Sequence, residues 1–186
     1  MTEPRDQLVL VDAQDNETGT MGKLEAHEKG LLHRAISVFI FDGHGRVLLQ
    51  KRHMDKYHSK GQWANATCSH PFPGELPFIA ARRRLQEEMG FDCSLRFLFK
   101  VLYKHDVGGG LTEHELVHVF AGTHDGPVRP DPVEAEGYQW LEFELLAEVL
   151  KKQPEQYAPW LQIYMERHGN DLKAACKSAS TIVTSS

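Results

Sequence analysis

The chain has 186 residues, a formal net charge of -5 and a pI near 6.1, which excludes the basic face a general nucleic-acid binder needs. With 41% hydrophobic and 25% charged residues it is an ordinary globular chain of a length that suits one compact domain, and its longest apolar stretch, Val38 to Phe41, is far too short to span a membrane. Three cysteines, an odd number, and an N-terminus without an apolar leader predict reduced thiols in a cytoplasmic protein.

In chain order, Leu8–Val11 reads as a short strand, and His27 and His33 bracket a short turn. Ile36–Phe41 and Val47–Leu49 read as strands joined by Asp42-Gly43-His44-Gly45, a hairpin signal. The clearest helix runs from Leu76 to Met89, with Pro77 in its first turn and Gly90 at its stop. Phe78, Ala81, Leu85 and Met89 make one apolar stripe; Arg84 and Glu88 flank it, and Arg83 and Glu87 face water. Leu95–Tyr103 and Glu115–Phe120 read as strands joined across Gly108-Gly109-Gly110, followed by a strand at Tyr138–Leu141. Phe143–Lys151 and Ala158–Arg167 read as helices. The pattern predicts an α/β or α+β fold, a mixed sheet sandwiched by helices. Residues 1–170 form the domain and 171–186 a partly disordered tail, frayed from Lys177 onward.

Candidate chemistry starts at Thr67-Cys68-Ser69-His70-Pro71, where a thiol and an imidazole sit two residues apart in a segment broken by prolines. Glu113 and Glu115 alternate along a strand, so they share a face, while His114 and His118 point the other way. Two carboxylates projecting together call for solvent or a cation. Taken singly, each of these residues is more often structural. With His27, His33 and His70 they would make a five-donor N3O2 set, which suits a six-coordinate divalent metal better than a closed zinc site. The other eight of the 11 histidines (His44, His53, His58, His105, His114, His118, His124 and His168) are assigned to ordinary structural or surface roles.

The chain resembles the type I isopentenyl-diphosphate isomerases of the Nudix superfamily from about Leu8 to Arg167. The likeness is carried by Thr18-Gly19-Thr20 with Lys23 and His27, His33-Arg34-Ala35, Leu48 to Arg52, Trp63 to Pro71, Gly74-Glu75, Ala80 to Gly90, Glu113-His114-Glu115 and Ala158-Pro159-Trp160. Arg84 stands where the Nudix helix carries its first glutamate, an exchange that weakens metal-assisted hydrolysis and offers a cation to a diphosphate instead.

The resemblance implies interconversion of isopentenyl and dimethylallyl diphosphate through a tertiary carbocation. Cys68 would stand on one face of the substrate and Glu115 with Tyr103 on the other. His27, His33, His70, Glu113 and Glu115 would bind one divalent metal, Mn²⁺ or Zn²⁺. Mg²⁺ would bridge Glu88, the Cys68 carbonyl and the diphosphate, with Lys23, Arg52, Lys56 and Arg84 as cationic partners. Trp160 would present its π face to the cation, worth roughly 2 kcal/mol when desolvated, or serve as an aromatic anchor. A monomer or weak dimer acting on a small molecule, with no nucleic acid or membrane partner, completes the reading. The alternatives are a Nudix diphosphate hydrolase using Glu75, Glu87 and Glu88, and a metal-dependent binding module without turnover.

Overall fold

Described over residues 6–56 and 58–183, the computed structural model runs β1 (Gln7–Val11), β2 (Glu17–Gly22), α1 (Lys23–Lys29), β3 (His33–Phe41), β4 (Arg46–Arg52), β5 (Trp63–Asn65) and β6 (Thr67–Ser69). There follow α2 (Pro77–Met89), β7 (Leu95–Gly108), β8 (Leu111–Thr123), β9 (Ala135–Glu142), α3 (Phe143–Lys152) and α4 (Pro159–Val183). The nine strands form one mixed sheet with helices on both faces, the α+β arrangement expected of the sequence.

β3 is almost continuously apolar because both of its faces are covered. Along one edge it pairs in parallel with β8 over its whole length, His33↔Glu115 to Phe41↔Thr123. Its other partners are β1 at His33, β6 from Ile36 to Val38, and β4 only at Phe41↔Val47. The expected hairpin at Asp42–Gly45 therefore exists only as a turn. Beyond it β4 diverges to pair with β9 and β5, since seven register pairs to β9 outweigh one to β3. The sheet is split into two halves by this divergence. The strand at Asn65 leaves β4 and re-enters at Thr67 beside β3, so the segment 63–69 crosses the gap.

Ile36, Val38, Ile40 and Leu48 pack against Ala80, Ala81, Leu85 and Met89 of α2. Phe78 of the expected stripe is 40% exposed, and Ala80 takes a place in the core instead. Gly90 stops the helix at φ +77, where a Cβ would meet the Arg129 carbonyl oxygen at 2.4 Å. The carbonyls of Glu88 and Met89 accept from the amides of Asp131 (2.9 Å) and Arg129 (3.0 Å), so the loop before β9 is fastened to the helix end. On the opposite face Phe39, Phe41, Leu49, Val117 and Val119 pack under Phe143, Leu146, Leu161 and Tyr164 of α3 and α4.

The expected turn between His27 and His33 is present: α1 carries His27 in its last turn and ends at Lys29, and Gly30 at φ +59 lets the chain turn into β3 at once. One expectation needs correction. The stretch expected as a tail continues α4 to Val183, past a non-helical His168 (φ -133) whose ring stacks on Phe99 at 3.8 Å. Leu172, Ala175, Cys176 and Ala179 are buried on the core, a helical spacing that its small and polar neighbours disguise. Residues 184–186 of the expected tail lie outside the described ones.

Candidate active site

The crossing segment pairs with β4 up to Asn65 and with β3 from Thr67, and the Asn65 side chain ties the step between the two ladders. Its Nδ2 donates to Ser37 Oγ (2.8 Å), the Val38 carbonyl (2.8 Å) and the Thr67 carbonyl (3.2 Å), all buried. Its Oδ1 is left to accept from Cys68 Sγ at 3.2 Å, and Ser37 Oγ stands 3.4 Å from the same sulfur. Cys68 thus lies in the wall of a cavity that also takes in His70, Tyr103, Glu115 and Trp160. Loss of hydration there pushes the thiol up to about 12, so it is neutral at rest.

From the other flank of β3, β8 delivers Glu113 and Glu115, both buried, while His114 and His118 turn to the opposite face and bond the Gly30 carbonyl and Asp15. The period-two expectation holds. Glu115 divides its oxygens: Oε1 lies 3.0 Å from His70 Nε2 and 3.5 Å from His33 Nε2, whereas Oε2 accepts from Tyr103 Oη at 2.6 Å. Tyr103 also reaches Glu113 Oε2 at 3.0 Å, one hydroxyl proton serving both carboxyls. Burial and the adjacent Glu115 charge push Glu113 well above the usual carboxyl range. Burial works upward on Glu115 too, yet the neighbouring His33 and His70 rings pull it well below that range.

The imidazoles are set for metal. His27 Nδ1 donates to the Lys23 carbonyl (2.7 Å) and His33 Nδ1 to the Leu31 carbonyl (2.9 Å), which fixes the tautomer with a lone pair on Nε2. Among the described residues His33 Nε2 is buried with no hydrogen-bond partner, an orphan that a cation would satisfy. His27, His33, His70 and Glu115 each bring a donor atom within 4.8 Å of the others, and Glu113 forms a second such group with His27 and His58. Burial holds His70 and His58 down at about 3, keeping both rings neutral as ligation requires. The residues fit a divalent ion.

Over residues 31–162 the chain matches the NUDIX domain. It is 49% identical over 162 residues to isopentenyl-diphosphate Delta-isomerase 2 of Aromatoleum aromaticum, covering 87% of this chain and 86% of that protein. To the isopentenyl-diphosphate Delta-isomerase of Serratia proteamaculans it is 42% identical over 177 residues, 95% of this chain and 99% of the other. The chain belongs to the isopentenyl-diphosphate Delta-isomerase family. Its fold is that of DR0079 from Deinococcus radiodurans (TM-score 0.72, 17% identity, 87% of this chain and 99% of that one). It is also that of a MutT protein from Methanosarcina mazei (TM-score 0.62, 18% identity, 76% and 96%). At those identities the likeness is one of fold alone.

In this isomerase-family chain the cavity mouth is cationic. Lys23, Arg52, Lys56 and Arg84 all line it; burial lowers the Lys23 ammonium, and the charges of Lys56, Arg52 and Arg84 lower it further. Arg84 reaches Glu88 Oε1 (2.7 Å), Glu87 Oε2 (2.8 Å) and Glu134 Oε1 (3.2 Å), and Lys56 is paired with the other Glu134 oxygen. Burial works against the Arg84 charge, and Glu88 and Glu134 outweigh it. Glu88 itself is raised by burial, and its Oε2 accepts from Gln50 Nε2 at 3.0 Å. Arg52 is turned inward: it holds the carbonyls of His58 and Ser59 (3.2 Å each) and stacks over Trp160 at 5.0 Å. Trp160 is buried in the cavity wall.

Sequence reasoning missed His58, Glu134, Asn65 and Gln50. His58, expected to be ordinary, is buried with Nε2 3.1 Å from Glu113 Oε1; the reason is the grip of Arg52 on its loop. The available signal was an arginine at the inner end of a core strand, which must find acceptors nearby. The expected wet face of α2 is also engaged, since Arg83 clasps both Glu75 oxygens at 2.7 Å. Among the described residues no helix is long and apolar enough to cross a membrane.

Proposed function

We propose that the protein interconverts isopentenyl diphosphate and dimethylallyl diphosphate, moving a carbon–carbon double bond by one position through a tertiary carbocation. The observation that carries this is the convergence of Cys68 and the Tyr103–Glu115 pair on one cavity from opposite flanks of β3. The two groups hold one proton between them, at rest on the Cys68 thiol. Whichever carries it protonates the alkene, and the other removes a proton from the carbon across the cation. Each turnover places the donor's proton on the substrate and leaves a substrate proton on the other group. Before the next turnover that group loses its proton to solvent and the donor regains one from it. The Glu115 proton is handled at Oε2, where Tyr103 relays it, while Oε1 faces the imidazoles. Trp160 and Tyr103 wall the cavity and exclude water from the cation.

His27, His33, His70, Glu113 and Glu115 would hold a Mn²⁺ or Zn²⁺ ion, which would compensate the charge of the buried carboxylates, and Glu88 with the Cys68 carbonyl would hold Mg²⁺, which would do the same for the diphosphate. Lys23, Lys56 and Arg84 bind the diphosphate at the mouth, and Arg52 stiffens the loop beside it. The hydrolase reading is not favoured: the relatives that match most of the chain at 42–49% identity are named isopentenyl-diphosphate Delta-isomerases. Three unpaired cysteines fit a cytoplasmic enzyme, working as a monomer or weak dimer.

Incubation with isopentenyl diphosphate and Mg²⁺ in D₂O, followed by proton and phosphorus NMR, tests the proposal. Deuterium uptake with the diphosphate intact is expected. Released phosphate would establish the hydrolase instead, and no change in either nucleus would leave a binding module.

A further inference from the structure

The cavity has an outer and an inner end. Lys23, Lys56 and Arg84 line both the cavity and the groove that continues outward past Phe72, whereas Cys68, Tyr103, Glu115 and Tyr164 line the cavity alone. The proton transfer makes no use of Tyr164, yet at 1% exposure it is among the largest fully buried side chains. α4 carries it one turn beyond Trp160, so the two aromatic rings project from one face of the helix. Its ring stands edge-on to Tyr103, with centroids 6.4 Å apart, and to Phe39 at 6.0 Å. Phe39 is fully buried under α3 and α4, so packed core backs the tyrosine. Burial pushes the Tyr164 hydroxyl well above the ordinary 10, and Cys68, Glu115 and Ser37 are the first neighbours to act on it. The phenol is neutral and stands beside both flanks of the proton transfer.

An isopentenyl chain bound by its diphosphate at the mouth points its far end inward. The methyl and methylene groups on its third carbon are that far end, and the methylene must reach the proton donor. We propose that Tyr164 is the inner wall of the hydrocarbon site and sets the size of the chain the enzyme accepts, an inference that rests on the isomerase reading. A packed interior yields little to an added methylene, so a wall backed by Phe39 refuses a substrate one carbon larger at that end. In a hydrophobic pocket one such carbon is worth about 10–200-fold in kcat/KM. The phenol oxygen has about the bulk of that carbon, so its removal alone makes room.

The probe is 3-ethylbut-3-enyl diphosphate, which carries ethyl where isopentenyl diphosphate carries methyl. Full-length protein with Mg²⁺ and Mn²⁺ is expected to favour isopentenyl diphosphate by about 10–200-fold in kcat/KM. In Tyr164→Phe that preference should fall at least about fivefold, and in Tyr164→Leu further, chiefly through faster turnover of the homologue. A fall in either variant supports the proposal. An unchanged preference in both, or a loss shared equally by the two substrates, would overturn it, and Tyr164→Phe decides alone where Tyr164→Leu does not fold. Equal kcat/KM on the two substrates in the unmodified protein would overturn it as well. Should the unmodified protein leave isopentenyl diphosphate unchanged, the isomerase reading itself falls, a separate failure that takes this inference with it.

Discussion

On one face of β3, Ile36, Val38 and Ile40 lie with Leu48, Leu85 and Met89 in an unbroken apolar layer beneath α2. On the other face the apolar row of Ala35, Phe39 and Phe41 shares its strand with His33 and Ser37, both fully buried. The first face is bought with transfer free energy alone. The second gives up apolar contact at two positions, where Leu31 answers His33 Nδ1, Asn65 and Cys68 answer Ser37 Oγ, and His33 Nε2 is left for a cation. One strand therefore carries a stabilising side and a reactive side, and substitutions on the two are expected to fail in opposite ways.

The largest separation is expected at the proton-transfer groups. Cys68→Ala and Glu115→Gln each lower kcat by more than about 10³-fold, with urea midpoints close to that of the parent; near-normal turnover in either would break the two-flank assignment. The converse substitution, Leu85→Ala under the other face, is expected to cost about 2–5 kcal/mol in denaturant titration. Its kcat per folded molecule should stay within about twofold of the parent, and a collapse of kcat in fully folded protein would erase the distinction between faces.

Glu134→Gln sharpens the comparison at the cavity mouth. Glu134 occupies Lys56 and Arg84, so a diphosphate must displace it. Removing its charge, an interaction of about 1 kcal/mol at a partly exposed site, is expected to lower KM about fivefold, and an unchanged or raised KM would count against this. The smallest effect is expected at Asp15, which bonds Arg34, Lys100 and His118 on the far side of β8. Although burial opposes it, Lys100, Arg34 and His118 hold the Asp15 carboxyl below its ordinary 3.8. The folded value being the lower one, this stabilisation is complete above about pH 4 and is lost as pH falls through the folded value. Asp15→Asn should remove about 1 kcal/mol or less at neutral pH and flatten the acid limb of the stability curve below pH 4. An acid limb as steep as the parent's would sink it.

The regular parts of this design were legible in the sequence. Period-two alternation placed Glu113 and Glu115 on one face, and the 3.6-residue stripe with Pro77 and Gly90 marked α2. Residues whose positions depend on another chain segment were not legible. His58 is carried inward by the hydrogen bonds of Arg52 to a loop. Glu134 is carried to Arg84 because the carbonyls at the end of α2 bind the amides of Arg129 and Asp131. Asn65 matters only because β3 and β4 diverge, and that divergence is set by β9, seventy residues further on in rough terms.

The parallel pairing of β3 with β8 has a consequence for how the molecule forms. The hairpin of β7 and β8 closes across Gly109-Gly110 and can nucleate locally, but His33 and Glu115 meet only when the long chain between them has been looped back. That closure costs entropy which no neighbouring contact returns in advance. The imidazoles from the N-terminal third and the carboxylates of β8 are therefore among the last groups to find one another during folding. An ion that binds only the finished set draws this late closure toward completion by mass action, so metal supply would govern the yield of folded chains as well as their chemistry.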